Sequence, residues 1–422
     1  MKFILTTTIC LMAFFAVAQE KGINFQNNLT WAQVKEKAKK ENKYIFVDCY
    51  TTWCVPCKVM AKEVFPQPEV ADFFNEKFVS IALQFDETKL DNADIKRWRA
   101  EVKRFDKEYK INAYPTYLFF SPDGAVVHSV IGGSDSKAFL IKAKQALDPT
   151  TQLINLRKQY ERGDRSTAFL HTFANALLQG WDSQANDVIN QYLATQTDLL
   201  TKENAWFVSM ATSKSTDPGF KVLTGNSEEF DKLTGAGLSS DLIGRIVFDE
   251  VVLPIVRING VKENHGGVYV YKGEIVKNVN WDEVYAKVKE KYPAYADEIL
   301  LKSKVTYYRG LNNWPKYTEE AATYVKQYSN NSNQIMTYAN DIMLFADDKA
   351  CLTQAADWSK KLIDSSDGAK NSWYITVYAS LLYKLGNKDK GLTVVKEAIA
   401  RLGDKAYGLK EVQEKMEKGG EL

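Results

Sequence analysis

Near residue 150 the sequence changes its period, and no other feature limits the fold as strongly. Before that point, short apolar runs rich in β-branched and aromatic residues alternate with amphipathic stretches. YIFVDCY (44–50), FVSIALQFD (78–86), TYLFFS (116–121) and AVVHSVI (125–131) read as strands. Helical spacing is read behind a Thr30 cap from Trp31, over 55–64 as far as Phe65-Pro66, over 68–78, over Ala93–Tyr109 and over Ser136–Leu147. Pro122 and Asp123-Gly124 are turn residues, so the last two strands form a hairpin. Strands separated by helices predict a mixed sheet with helices on both faces.

From about Thr150 onward one amphipathic helix follows another, as in QLINLRKQYERG and LSSDLIGRIVFDEVVLPIV. HGGVYVYKGEIVK (265–277) breaks the series and predicts a hairpin flap punctuated by Gly266-Gly267 and Lys272-Gly273. ADWSKKLIDSSD (356–367) is similar to LTVVKEAIARLG (392–403), about one tetratricopeptide period further on. Residues 315–405 therefore resemble tetratricopeptide-like helical pairs. A chain of 422 residues suggests two or three domains. The expected division falls near Asp148-Pro149: an α/β domain over 19–148, then an all-α domain over 149–422.

The opening MKFILTTTICLMAFFAVAQE reads as an export signal over 1–18. Lys2 supplies the positive end, an apolar stretch follows, and Ala16-Val17-Ala18 is an A-x-A cleavage site. The expected location is therefore exported, in the periplasm. Net charge is +2 and no Lys/Arg cluster is set among aromatics, which argues against nucleic-acid partners. No later segment reads as a membrane span. After signal removal four cysteines remain, too few to staple a large exported chain, so they point to chemistry at one place.

That place is VDCYTTWCVPCK (47–58). Cys54 falls at a strand-to-helix turn, where free backbone N–H groups and the positive end of the helix dipole favour a thiolate. A thiolate is the nucleophile of disulfide exchange. Cys57, one helical turn on, is placed to attack the resulting mixed disulfide, and the pair can cycle between dithiol and disulfide. Pro56 stiffens the first turn, where its missing N–H costs nothing. A zinc site needs four ligands, and Cys49, Cys351, His128, His171 and His265 offer none at ligand spacing, so no metal is expected. A static disulfide closing so short a loop would stabilise little. Cys49 follows Asp48 on the strand and points to the opposite face, where it reads as a small buried hydrophobe, as does Cys351.

WCVPCK behind a VD-bearing strand resembles the active site of the thioredoxin fold, and Tyr114-Pro115-Thr116 before TYLFF is similar to that family's cis-proline motif. Within the superfamily, the Trp-led helix, the Ala-Lys run and the Glu-Val-Phe, Pro-Glu-Val and Phe-Val series resemble exported domains. These include the C-terminal domain of the bacterial membrane thiol-reductant transporter and thioredoxin-like proteins of Bacteroides-type bacteria. The resemblance covers residues 25–147. It implies that Cys54 attacks, Cys57 resolves, and Asp48 lies buried beneath them to take a proton from Cys57. Trp53 would pack beside the site, and Pro115 in cis would free the Tyr114 backbone for a substrate strand, with Thr116 adjoining. No cofactor is implied. The lysine that many thioredoxins place near the buried aspartate is absent from FVSIALQFD.

The expected function is a thiol-disulfide oxidoreductase acting on cysteine-containing proteins, as reductase or isomerase, and supplied by an electron donor outside this chain. The competing expectation is a binding module whose helical part selects a protein while the α/β domain serves as scaffold.

Overall fold

The structure, a computed structural model, describes residues 22–265, 268–329, 331–365, 368–406 and 408–420; the expected signal, 1–18, lies outside the described residues. Two compact units are present, one ending at Tyr192 and one beginning at Leu193.

In the first unit α1 (Trp31–Glu41) starts at a capping box, with Thr30 and Gln33 each serving the other's backbone N–H, and stops at left-handed Asn42. It leads into β1 (Tyr44–Tyr50). Then follow α2 (Val55–Val59), which continues as a π turn over Met60–Val64, and α3 (Pro68–Lys77). β2 (Phe78–Gln84), α4 (Ala93–Tyr109), β3 (Thr116–Phe120), β4 (Val126–Ile131) and α5 (Ser136–Leu147) complete the α/β order read from the sequence. The sheet order is β2-β1-β3-β4, with β1 parallel to β2 and antiparallel to β3, and β3 antiparallel to β4. This is the mixed sheet the thioredoxin resemblance implies.

The central strand β1 is buried on both faces, which explains its unbroken apolar run. Ile45, Val47 and Cys49 face a core with Trp31, Val34, Trp98, Val102, Phe105 and Phe120. Phe46 faces the other core, with Met60, Phe65, Phe74, Tyr117 and Phe139. Period-two alternation puts Asp48 on the Phe46 face, directly opposite Tyr117 in the β1–β3 register.

The first unit does not end at Asp148-Pro149. Three more helices extend it: α6 (Leu153–Glu161), α7 (Thr167–Gln179) and, as far as Tyr192, α8 (Ala185–Leu193). The Leu153 N–H donates to His128 Nδ1 on β4 (3.1 Å), Gln152 Nε2 donates to Ala146 O (3.0 Å), and Ile154 packs on the Phe46 core. The outer strand β4 needs a cover, and α6 supplies it.

In the second unit the helical reading holds from Lys202–Ala211 to Leu409–Glu417. Within 315–405, helices Ser332–Phe345 and Lys349–Ile363 pack as neighbours, as do Ser372–Lys384 and Lys388–Leu402. The two segments noted as similar fall on the second helix of each pair. The flap is a hairpin, but it begins earlier than 265: β5 (Arg257–His265) pairs with β6 (Val268–Ile275). Gly273 is not a turn. It lies opposite a bulge between Ile258 and Val261, at φ +101°, and a Cβ there would meet Ile258 O at 2.6 Å. No helix of the described residues is long and apolar enough to cross a membrane.

Candidate active site

β1 ends at Tyr50, and the chain turns through Thr51-Thr52-Trp53 before α2 begins. The Cys54 N–H donates to Thr51 O (3.2 Å), closing that turn. Cys54 is the N-cap of α2, with extended backbone, and its Sγ accepts the Cys57 N–H at 3.1 Å. The side chain thus occupies the spot where helix N-termini stabilise negative charge. Pro56 fills the first turn. Cys54 and Cys57 form a disulfide, with Cα atoms 5.3 Å apart. Both are buried in this form, Cys54 at 3% exposure and Cys57 at 6%, so exposure does not distinguish them; position on the helix does.

Asp48 lies on the sheet face that carries the π turn following α2. It is buried, and Oδ1 has no hydrogen-bond partner among the described residues. Burial disfavours the charged form and pushes the carboxyl up to about 7. Its neighbour across β2 is Ala82, so no cation from that strand offsets the burial. Its neighbour across β3, Tyr117, has a buried hydroxyl that is also without a partner among the described residues. Cys49 is buried on the opposite face, where burial holds its thiol well above the usual range.

The Tyr114-Pro115 bond is cis. Pro115 O accepts the Gly132 N–H (2.8 Å), and the Thr116 hydroxyl donates to Ala113 O (2.7 Å), tying down the segment between them. Tyr114 meets Trp53 edge to face at 5.8 Å, and Trp53 is 66% exposed, so one indole face stays open beside the cysteines.

Two groups were not singled out from the sequence. Asp86, just beyond β2, accepts the Thr52 N–H (2.9 Å) and the Thr52 hydroxyl, clamping the turn that carries Trp53. A strand-end carboxylate was visible in the sequence, but nothing local pairs it with Thr52. Met60, in the π turn, accepts the Ser134 N–H through Sδ (3.4 Å), joining the α2 side to the β4–α5 loop. Among the described residues no group of three or more His, Cys, Asp or Glu is placed to hold a metal ion.

A redox-active cysteine pair at a helix start on this sheet defines a thiol-disulfide oxidoreductase. The family model for a thioredoxin-like domain matches residues 31–147. Thioredoxin H4 of Arabidopsis thaliana is 30% identical over 133 residues, covering 30% of this chain and 94% of that protein. A thiol:disulfide interchange protein DsbD of Pseudomonas fluorescens is 34% identical over 107 residues, 25% of this chain and 16% of that protein. The chain spans about half the length of a Pyricularia oryzae thioredoxin-2 (54%) and a small part of the DsbD relative. A solved structure described as a putative disulphide-isomerase from Bacteroides thetaiotaomicron is 36% identical, with a TM-score of 0.26, covering 31% of this chain and 98% of that one. Through its first unit, the chain belongs to the thioredoxin family.

Proposed function

We propose that the chain is an exported reductase or isomerase of protein disulfides, with Cys54 attacking, Cys57 resolving and Asp48 moving the proton. The observation that carries this reading is the closed Cys54–Cys57 pair at the start of α2, on the sheet that buries Asp48. In the reduced enzyme the Cys54 thiolate attacks one sulfur of a substrate disulfide. A Cys54–substrate disulfide forms, and the other substrate sulfur leaves as a thiolate. Cys57 then gives its proton to the Asp48 carboxylate, and its sulfur attacks Cys54 Sγ. The second substrate sulfur departs as a thiolate, and the Asp48 proton returns to solvent or to a departing thiolate. Two electrons pass from the cysteine pair to the substrate, so each turnover needs a dithiol donor from outside the chain. An aspartate poised near neutral pH suits both halves of that proton transfer.

The open face of Trp53 and the Tyr114–Thr116 backbone are the surfaces that a substrate strand would meet. The helical second unit would select or position that substrate, its helical pairs acting as a repeat-like scaffold. Export rests on the sequence of residues 1–18.

The test is insulin reduction with dithiothreitol, combined with trapping by Cys57→Ser. We expect turnover by the full chain, none by Cys54→Ser, and stable mixed disulfides through Cys54 in Cys57→Ser. Mixed disulfides forming instead through Cys49 would overturn the assignment.

A further inference from the structure

The second unit holds a cavity of about 540 Å³, between helices Leu238–Val247, Ala296–Gly310 and Ser332–Phe345, with β6 contributing Tyr271. That volume lies within the usual range for small-ligand sites. Its lining combines polar side chains with the apolar or aromatic Leu238, Phe248, Val305 and Tyr338.

Two carboxylates line the cavity, and both are already engaged. Asp341 accepts from Arg309 through both oxygens (2.7 and 2.9 Å) and from the Tyr317 hydroxyl (3.0 Å). Asp241 accepts from Lys302 (2.9 Å) and Gln334 (3.1 Å) on one oxygen and from Asn331 (3.3 Å) on the other. Lys302 is further engaged by Ser240 and Glu298. Both carboxylates are therefore engaged by the protein's own donors.

Donors remain. Arg245 is exposed at the cavity and makes no hydrogen bond or ion pair among the described residues. Arg309 bonds Asp341 through Nε and Nη2, which leaves Nη1 unengaged, and its side chain is 53% exposed. The Asn333 oxygen takes the Tyr374 hydroxyl (2.6 Å), while its amide nitrogen has no partner among the described residues. The Tyr338 hydroxyl makes no hydrogen bond among the described residues, and burial holds that phenol well above its ordinary range, so it stays a donor. Tyr338 is fixed in place by its ring, which meets Tyr317 and Tyr324 edge-on.

We propose that this cavity is a second ligand site, separate from the thiol chemistry, that takes a small carboxylate carried on an apolar or aromatic body. The carboxylate completes the unengaged N–H groups of Arg245 and Arg309, in the planar pairing that guanidinium groups make best, and the body lies against Phe248, Val305 and the Tyr338 ring. Arg309 is held in register by Asp341, so the site is organised before the ligand arrives. The same chemistry is offered by a free organic acid and by the C-terminal carboxylate of a peptide.

The test is titration calorimetry on the full chain. The probes are phenylacetate, its neutral isostere phenylacetamide, and N-acetyl-Ala-Ala-Phe with either a free or an amidated C-terminus. We expect each acid to bind at least about tenfold more tightly than its amide, and Arg245→Gln to remove that preference. Arg245 is exposed and makes no hydrogen bond or ion pair among the described residues, so the variant folds, and an unchanged thermal melt of the full chain followed by far-ultraviolet circular dichroism checks this. Tighter binding of phenylacetate than of the peptide acid identifies the ligand as a small acid, and the reverse order identifies a chain terminus. Equal binding of acid and amide, acid binding untouched by Arg245→Gln, or no saturable binding of either acid up to millimolar concentration would each overturn the proposal.

Discussion

Replacing Asp48 by Asn tests the electrostatics of the thiol site through stability rather than activity. The carboxyl's ordinary value is 3.8, and burial raises it to about 7 in the folded oxidised protein. A folded value above the unfolded one means that the folded state holds the proton more tightly. The associated stability is complete below about 3.8, falls as pH rises, and is lost once pH passes about 7. A difference of about three pH units, at about 1.4 kcal/mol each, makes the ionised carboxylate cost the fold about 4 kcal/mol above neutrality. Asparagine has nearly the same shape and never ionises. The stability difference between Asp48→Asn and the wild type should therefore change by about 4 kcal/mol in favour of the variant between pH 4 and pH 8, and then level off. Hydrogen exchange of the β1 and β3 amides, compared at matched pH so that intrinsic rates cancel, reads this difference within the first unit of the full chain. The same variant should slow turnover, because Cys57 loses its proton acceptor. A stability difference that does not vary with pH would refute the buried, uncompensated carboxylate, whatever happens to activity.

His128 carries the opposite sign. Burial pushes its imidazole from 6.5 down to about 4, so its contribution is present above 6.5 and lost as pH falls towards 4, about 3 kcal/mol in all. His128→Asn should remove that acid sensitivity from hydrogen exchange in β4 and α6. A fragment ending at 192 should fold, whereas one ending at 148 should be less stable by several degrees in thermal melts, since β4 and His128 lose the cover of α6. Brief iodoacetamide treatment of the reduced protein at neutral pH, followed by mass mapping, should label Cys54 ahead of Cys57, Cys49 and Cys351. Asp86→Asn should lower kcat/KM for insulin several-fold with little change in stability, because it loosens the Trp53 turn without touching either sulfur; unchanged kinetics would make Asp86 a loop contact without consequence for the reaction.

The candidate site was legible in the sequence because its parts are local. Cys54 and Cys57 lie three positions apart on one helix start, and Asp48 sits on the strand that leads into it. Pro115 is distant in the chain and was placed by the resemblance; it immediately precedes β3, which pairs with β1. Strand alternation alone separates Asp48 from Cys49. The start of β5 was hidden for an equally local reason: RINGVKENH is mostly polar, and Asn259-Gly260 imitates a loop when it marks a bulge.

By itself, the sequence determined the order of elements in the first unit, the switch to helices after it, and the helix start that holds the cysteine pair. Each of these follows from periodicity, caps and turn residues acting over a few positions. Tertiary structure alone decided where the first unit ends, because an amphipathic helix announces that it must be covered but not by what; β4 claimed α6 through His128, and α5 did so through the Ala146 carbonyl that takes Gln152 Nε2. It also decided the proton affinity of Asp48, which depends on the apolar shell closing around it and on Ala82 standing beside it across β2. And it brought Arg245, Arg309 and Tyr338 to one cavity from helices far apart in the chain, where Asp241 and Asp341 are already engaged by other donors.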